Sequence, residues 1–457
     1  MANREEFLES VNLHNLLFDR VYSQAARDGR IMMRVVSKEV TSIPSTPERF
    51  PGLRQNVRNS IYNGAFGTTA LGIVSTFVPL YMIDALHASN QLIGWLNALP
   101  ALAGLIGSLI GAVLVPRLAR YRTFSAISFL AARLSYLLLA AVPLFGGTNA
   151  PALVVAVNAA ENVPQTLGTL SWQALMAKLV PSALRENFFG RRNALITIVG
   201  LGGTIVTGVV LQLFDPQRPG PYQLLFVAAS LLGGLEVLFL IRHREPSRGE
   251  RPRPLRWSTW SDLLKVRRFR RYVILAAFFN FGWQLSWPLF SIYQIRTAHA
   301  TGLWIGLFTM AAQATEILTF RWWGELARRR GGLATMGWSG LGVGLVPLLT
   351  VLSPNLFYLT AVNLFSGLFL SGITLLLFTE LLHAAPAHER SGAIALYNLV
   401  LGCVAFLAPE LGIYLLHIMG MAATMMLSAV WRMAGALLFL TPPGYFMTRF
   451  SMWASRS

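Results

Sequence analysis

The sequence predicts an all-α integral membrane protein, with twelve transmembrane helices forming two pseudo-symmetric six-helix bundles around a central cavity. Three observations carry this. Of the 457 residues 54% are hydrophobic and only 13% are charged, and mean hydropathy is +0.52, a balance that a water-soluble domain does not show. Apolar windows of the length needed to cross a hydrocarbon core fall in two sets of six. Residues in the second set repeat those of the first at a near-constant offset.

The first set of windows lies near 60–84, 91–115, 123–145, 151–176, 192–214 and 221–241. The second lies near 271–295, 302–324, 333–352, 356–382, 392–417 and 420–441. Between them, HREPSRGERPRPLRWSTWSDLLKVRRFRR (243–271) is rich in Pro, Arg and Ser and reads as a loop ending in one short surface helix. Ahead of the first span, Phe7, Val11, Leu17, Val21 and Ala25 recur at helical spacing, so an amphipathic surface helix is expected, followed by a linker around SIPSTPERFP. No signal peptide is expected, because Glu5, Glu6 and Glu9 stand where a basic leader region would. The resulting divisions are an extension (1–55), an N-terminal bundle (56–242), a basic loop (243–270), a C-terminal bundle (271–442) and a tail (443–457).

Duplication explains the two sets. Asn158 and Asn363, Pro181 and Pro386, Arg185 and Arg390, and Asn193 and Asn398 each differ by 205 positions, without a gap. LARYR (118–122) matches LARRR (326–330), and VPLY (78–81) matches WPLF (287–290).

The net charge of +18 is a topology signal and calls for no nucleic acid. Alternate loops hold Arg117, Arg120, Arg122, Lys178, Arg185, Arg191, Arg192, Arg328, Arg329, Arg330 and Arg390, while the opposite loops hold Arg218 and Arg296. That asymmetry places the basic loops and both termini in the cytoplasm, with the chain in the cell membrane and anionic headgroups as its lipid partner. A single cysteine, Cys403, excludes an internal disulfide and a cysteine-based metal cluster. No cofactor is expected, and the absence of G-x-x-x-x-G-K-[ST] argues against ATP as the energy source.

Twelve spans as six plus six, a basic central loop, basic loops after spans two and eight, and P-x-x-x-R before spans five and eleven resemble the major facilitator superfamily over about residues 55–445. GELARRRGG (324–332) is similar to that family's loop G-x-L-A-D-R-x-G-R, with Arg328 at the acidic position; PRLARYRTF (116–124) is further away, with Arg120 there. GLGGTIVTG (200–208) has the paired glycines of the antiporter signature but not its proline. The resemblance implies a non-enzymatic secondary transporter whose cavity is lined by spans 1, 4, 7 and 10 with 2, 5, 8 and 11.

Polar stripes fall on those spans. At 100° per residue Asn158, Asn162, Gln165, Thr169 and Trp172 share one face of span four within about 40°, with Glu161 at its edge. Span seven shows Asn280, Gln284, Trp287, Ser291 and Gln294; span eight shows Thr309, Gln313 and Glu316; span five shows Asn193, Thr197, Thr204 and Thr207. Asn363 is the span-ten counterpart of Asn158. Lipid exposure of such stripes would cost several kcal/mol, so they face protein or a wet cavity. No basic residue lies on the stripes, which argues against a phosphate or dicarboxylate substrate. Trp283, Trp287 and Phe378 suggest an aromatic wall, hence a small amphipathic organic solute.

Charges within the spans have separate readings. Arg133 is expected to pair with Glu161 and Arg432 with Glu410, because an isolated ion in hydrocarbon is costly. Glu316, without a basic partner, is the first candidate to carry a coupled proton, and Glu161 the second. Asp84 and Arg296 end spans one and seven and are expected to close the outer side. Given the family's docking of those loops, Arg120 with Glu389 and Arg328 with Glu186 are expected to close the inner side. A monomeric, ion-coupled transporter is the expectation; the alternative is a transporter-like assembly factor or receptor that contacts its partner through residues 1–55.

Overall fold

The computed structural model describes residues 53–145, 147–180, 182–245, 259–386 and 389–441. The amphipathic helix expected near the N-terminus, most of the basic loop and the tail lie outside them. Among the described residues there are helices and no strands.

Span one is Leu53–Leu80, prolonged by a π-helical turn, Tyr81–Ala85. Spans two to six are Asn90–Leu114, Tyr121–Phe145, Ala150–Leu179, Ser182–Gln212 and Pro219–Ile241. After the short helix Thr259–Lys265, span seven comes in two pieces, Arg267–Leu285 and Trp287–Ile292, again ending in a π-helical turn, Tyr293–Thr297. Spans eight, nine and ten are Gly302–Arg330, Gly332–Val351 and Leu356–Ala384. Spans eleven and twelve share one helical run, Arg390–Leu440, divided at Gly420. Gly420 has φ 81° and ψ 175°, a region closed to residues with a Cβ, and so the chain reverses there without a loop.

Ten described stretches are long and apolar enough to cross a membrane. One of them, Gly392–Leu440, contains both spans eleven and twelve, and span four is not among the ten because its polar stripe lowers its hydropathy. Twelve spans result. Helix starts are capped as the sequence chemistry requires. The Ser89 hydroxyl accepts from Leu92 N, and Asn355 Oδ1 accepts from Phe357 N and Tyr358 N at 2.9 and 3.1 Å.

In each half the spans pack in matching pairs, one with five and six and three with four and six, then seven with the eleven–twelve run, nine with ten and twelve. The halves meet along two equivalent seams, span two against span eleven and span five against span eight. The cores are unequal along the molecule. At the end opposite the basic loops one continuous apolar core joins both halves, with Phe77, Ile93, Tyr136 and Phe226 packed together with Leu289, Ile305, Phe308 and Ile413. At the basic end each half keeps its own core, around Tyr121, Leu175 and Leu240 in one and around Phe269, Phe279 and Leu376 in the other. The cleft is therefore sealed at one end and parted at the basic end.

Candidate functional site

The polar groups of the stripes bond mostly within their own helices, and Asn280, Thr204 and Thr207 are buried at 6%, 3% and 4% exposure. If they were glue between helices, their side chains would bond across helices. Asn162 Nδ2 instead donates to the Asn158 carbonyl of its own helix at 2.9 Å, Thr169 to Gln165 at 2.9 Å, Asn280 to Ala276 at 2.8 Å, Thr309 to Ile305 at 3.0 Å and Asn363 to Leu359 at 2.8 Å. Gln165 Oε1 and Trp172 Nε1 have no partner among the described residues. Gln313 is half-buried, and Trp287 is 46% exposed beside Trp283, with ring centroids 6.5 Å apart. Gln284 is half-buried and Asn193 is exposed. Gln313, Gln284, Trp287 and Asn193 are thus at least partly exposed, whereas Gln165 Oε1 and Trp172 Nε1 are enclosed.

Glu316 is half-buried on span eight and accepts from Thr374 Oγ1 of span ten at 3.4 Å; no ion pair joins it to a described residue. Glu161 lies elsewhere. It is 5% exposed and points into its own half, where Arg133 Nη1 stands 3.5 Å away, as the sequence expects. A closer partner was missed: Glu236 of span six lies 2.7 Å from Arg133 Nε. Tyr136 OH completes the cluster, 2.7 Å from Arg133 Nη1 and 3.4 Å from Glu161 Oε1. Glu236 sits in the middle of an apolar window, and that misplaced carboxylate was the signal for a basic partner at the same depth.

The expected pairing of Arg432 with Glu410 does not form. Arg432 donates to the carbonyls of Gly282, Val343 and Trp283 at 3.2, 3.1 and 2.9 Å, and also to Ser286 Oγ. Its charge is solvated by the end of the first piece of span seven, where unpaired carbonyls and the negative pole of the helix dipole favour a cation. Glu410 instead accepts from Gln91 Nε2 at 2.7 Å across the seam of spans two and eleven.

At the sealed end Asp84 and Arg296 border one pocket of about 480 Å³ with His87, Gln217, His299 and Thr301. They form no ion pair within 4.0 Å; Arg296 donates across the halves to the Ala88 carbonyl. His87 and His299 have positive φ, 51° and 52°, each after a π-helical turn, and the pattern Y-x-I-x-x-x-H-A (81–88 and 293–300) marks both. That repeat is legible in the sequence.

At the basic end, Arg120 is exposed, and no ion pair joins it to Glu389 among the described residues. Arg328 is bound to Glu325 of its own helix, and Arg329 is 2.7 Å from the same carboxylate. The Glu186 side chain lies outside the described residues. Arg120 and Glu389 thus do not pair in this state, and Arg328 is engaged within its own helix. Arg192, counted in the sequence among the loop charges, is buried at 7% exposure, with its guanidinium 4.5 Å over the Trp172 ring. A basic side chain thus reaches the span-four stripe, although Arg192 itself lies about 100° off the stripe of its own helix.

The Major Facilitator Superfamily profile matches residues 63–346, well over half of the chain. No curated protein matches the sequence. Among solved structures, a variant of the nucleoside transporter NupG superposes with a TM-score of 0.70 at 14% identity, covering 84% of this chain and 99% of that one. The D-xylose-proton symporter superposes with a TM-score of 0.63 at 13% identity, covering 85% and 98%. A bacterial homologue of the human lysosomal transporter Spinster, inward-facing and unoccupied, gives 0.64 at 11% identity, covering 85% and 96%. At such identities the superpositions establish the shared fold. Together with the profile match, the twelve paired spans and the cleft between their halves show that this chain belongs to the major facilitator superfamily of membrane transporters.

Proposed function

We propose that this protein is a secondary active transporter that moves a small, amphipathic organic solute across the cell membrane by alternating access, driven by a proton gradient. One observation carries the reading. A shared apolar core joins the halves at one end while each half keeps its own core at the other, and the polar stripes of spans four, five, seven and eight would line the cleft between them. Such a cleft serves transport when the seal can be exchanged between ends, as in the rocking of one repeat against another. With the basic loops in the cytoplasm this state is open inward, and the crossed pairs of Arg120 with Glu389 and Arg328 with Glu186 would form when it closes. The solved relatives are named for a nucleoside and for D-xylose with a proton, solutes of the polar, cyclic kind that amides and indoles can hold.

Glu316 is the proposed proton carrier, since a carboxylate inside the span without a cationic partner is the group whose charge the membrane interior tolerates least. Its bond from Thr374 holds it at the span eight and span ten face. In proteoliposomes given a substrate panel and an imposed pH gradient, Glu316→Gln should lose uphill accumulation while retaining counterflow. Undiminished uphill transport in that variant removes Glu316 from the mechanism.

A further inference from the structure

We propose that the pocket between spans four and five is the subsite for a carboxylate, so that the transported solute is a monocarboxylic acid with a planar or aromatic body; this rests on the transporter reading and names the substrate class within it. The pocket has a volume of about 410 Å³ and is lined by Trp172, Gln173, Ala177, Phe189, Arg192 and Asn193.

Arg192 is the centre of the inference. A guanidinium carries five N–H groups in a fixed fork. Its Nε is engaged by Ser60, 3.1 Å from the carbonyl and 3.0 Å from Oγ. Nη1 makes one long bond to Asn193 Oδ1 at 3.4 Å, and Nη2 has no hydrogen-bond partner among the described residues. The acid that acts on it electrostatically, Glu236, is already bound to Arg133 at 2.7 Å. Lys178, a second cation near that end of span four, lies 3.4 Å from Glu245. A cation buried at 7% exposure with N–H groups to spare is costly unless an anion visits it.

Trp172 supplies the second donor. Its indole N–H is buried and has no acceptor, while its ring lies under the guanidinium and edge-on to Phe189 at 6.2 Å and 76°. A free guanidinium edge and one indole N–H match the two oxygens of a carboxylate, and a single cation matches its single charge. A phosphate monoester brings more charge than one guanidinium balances. Phe189 and the exposed amides of Gln173 and Asn193 leave room for a flat apolar body with a polar edge.

The test uses the purified full-length protein in nanodiscs, with thermal unfolding as the binding readout. The probes are indole-3-acetate and benzoate, their carboxamides, and phenyl phosphate. The two carboxylates should stabilise the protein saturably, with the carboxamides and phenyl phosphate about tenfold weaker or more, the scale of one charge-assisted hydrogen bond. Arg192→Gln should erase the preference for carboxylates, and Arg192→Lys should keep part of it. Trp172→Phe keeps an aromatic face and removes the donor, so it weakens the carboxylates selectively even if Arg192→Gln does not fold. The site is overturned if carboxamides bind as well as carboxylates, if phenyl phosphate binds better, if Trp172→Phe and Arg192→Lys both leave binding unchanged, or if no carboxylate stabilises the protein. Uphill transport of the carboxamides without the acids would leave the transporter reading standing and the subsite refuted. Arg192-dependent binding of acids with no transport of any probe would do the reverse.

Discussion

Charges buried inside the spans are tolerated because glycines let them pass. Gly64 and Gly67, one turn apart on span one, are where the Arg192 and Glu236 side chains cross that helix. A Cβ on Gly64 would stand 2.4 Å from Arg192 Nη2, and one on Gly67 would stand 2.3 Å from Glu236 Oε1. Gly67→Ala should therefore push Glu236 off Arg133 and destabilise the protein by about 1–3 kcal/mol, the usual scale of overpacking, read as a lowered Tm in detergent. Arg133→Met alone should cost more, on the order of 3–5 kcal/mol, because it leaves Glu161 and Glu236 buried without their ion-pair partner. Adding Glu161→Gln and Glu236→Gln to it should recover most of that loss. A triple variant no more stable than Arg133→Met would show that the cluster does not act through its charge balance. In the sequence the Arg133 and Glu161 pair was readable, as two opposite charges at like depth. Glu236 and Arg192 were not paired, because helical periodicity gives the face a residue occupies and not which neighbour a long side chain reaches.

Elements at the basic end are tied together by the segment that follows span six. Asn59 Nδ2 donates to the Arg242 carbonyl at 2.9 Å, Arg244 N to Asn56 Oδ1 at 2.8 Å and Arg122 Nη1 to the His243 carbonyl at 2.9 Å. The Glu245 carboxylate receives Tyr121 N and Arg122 N at the start of span three, where the helix dipole favours a negative group. His243 is wholly buried in this clamp, and burial pushes its imidazole from 6.5 down to about 4. Because the folded value lies below the unfolded one, the clamp is fully stable above about pH 6.5 and loses stability as pH falls toward 4. The loss is at most about 1.4 kcal/mol per unit. Thermal unfolding between pH 7 and 5 should show that decline, and His243→Gln should flatten it; an unchanged slope would exclude His243 as its source. In the other half, Arg432 pins the break between the two pieces of span seven. Arg432→Met should lower Tm, and Arg432→Lys should not restore it, since an ammonium gathers its donors on one atom and cannot span the carbonyls of Gly282, Trp283 and Val343 as the three guanidinium nitrogens do. Full rescue by Lys would reduce Arg432 to a point charge. The break was foreshadowed by Pro288, which removes a helical N–H, whereas the cation solvating it comes from span twelve and carries no local signal.

At the scale of the whole molecule the question is which end is closed. The shared core at one end and the crossed charges at the other offer two seals, and exposed pairs of about 0–1 kcal/mol each are strong enough only to bias a near-balanced equilibrium. Glu389→Arg should impair transport and the double variant with Arg120→Glu should restore it. A double variant no better than the worse single one would return these residues to the role of topology signals. Composition, window length and charge asymmetry specified the membrane, the twelve spans and their duplication, because each rests on properties summed along the chain. The stripes could be expected to avoid lipid for the same reason, since the hydrocarbon disfavours polar faces wherever they occur. Where Arg192 and Arg432 go, what holds Glu236, and that Arg296 meets a backbone carbonyl instead of Asp84 were decided only when the helices packed. Such contacts depend on crossing geometry and on the reach of flexible side chains, and neither is written in the spacing of residues along one helix.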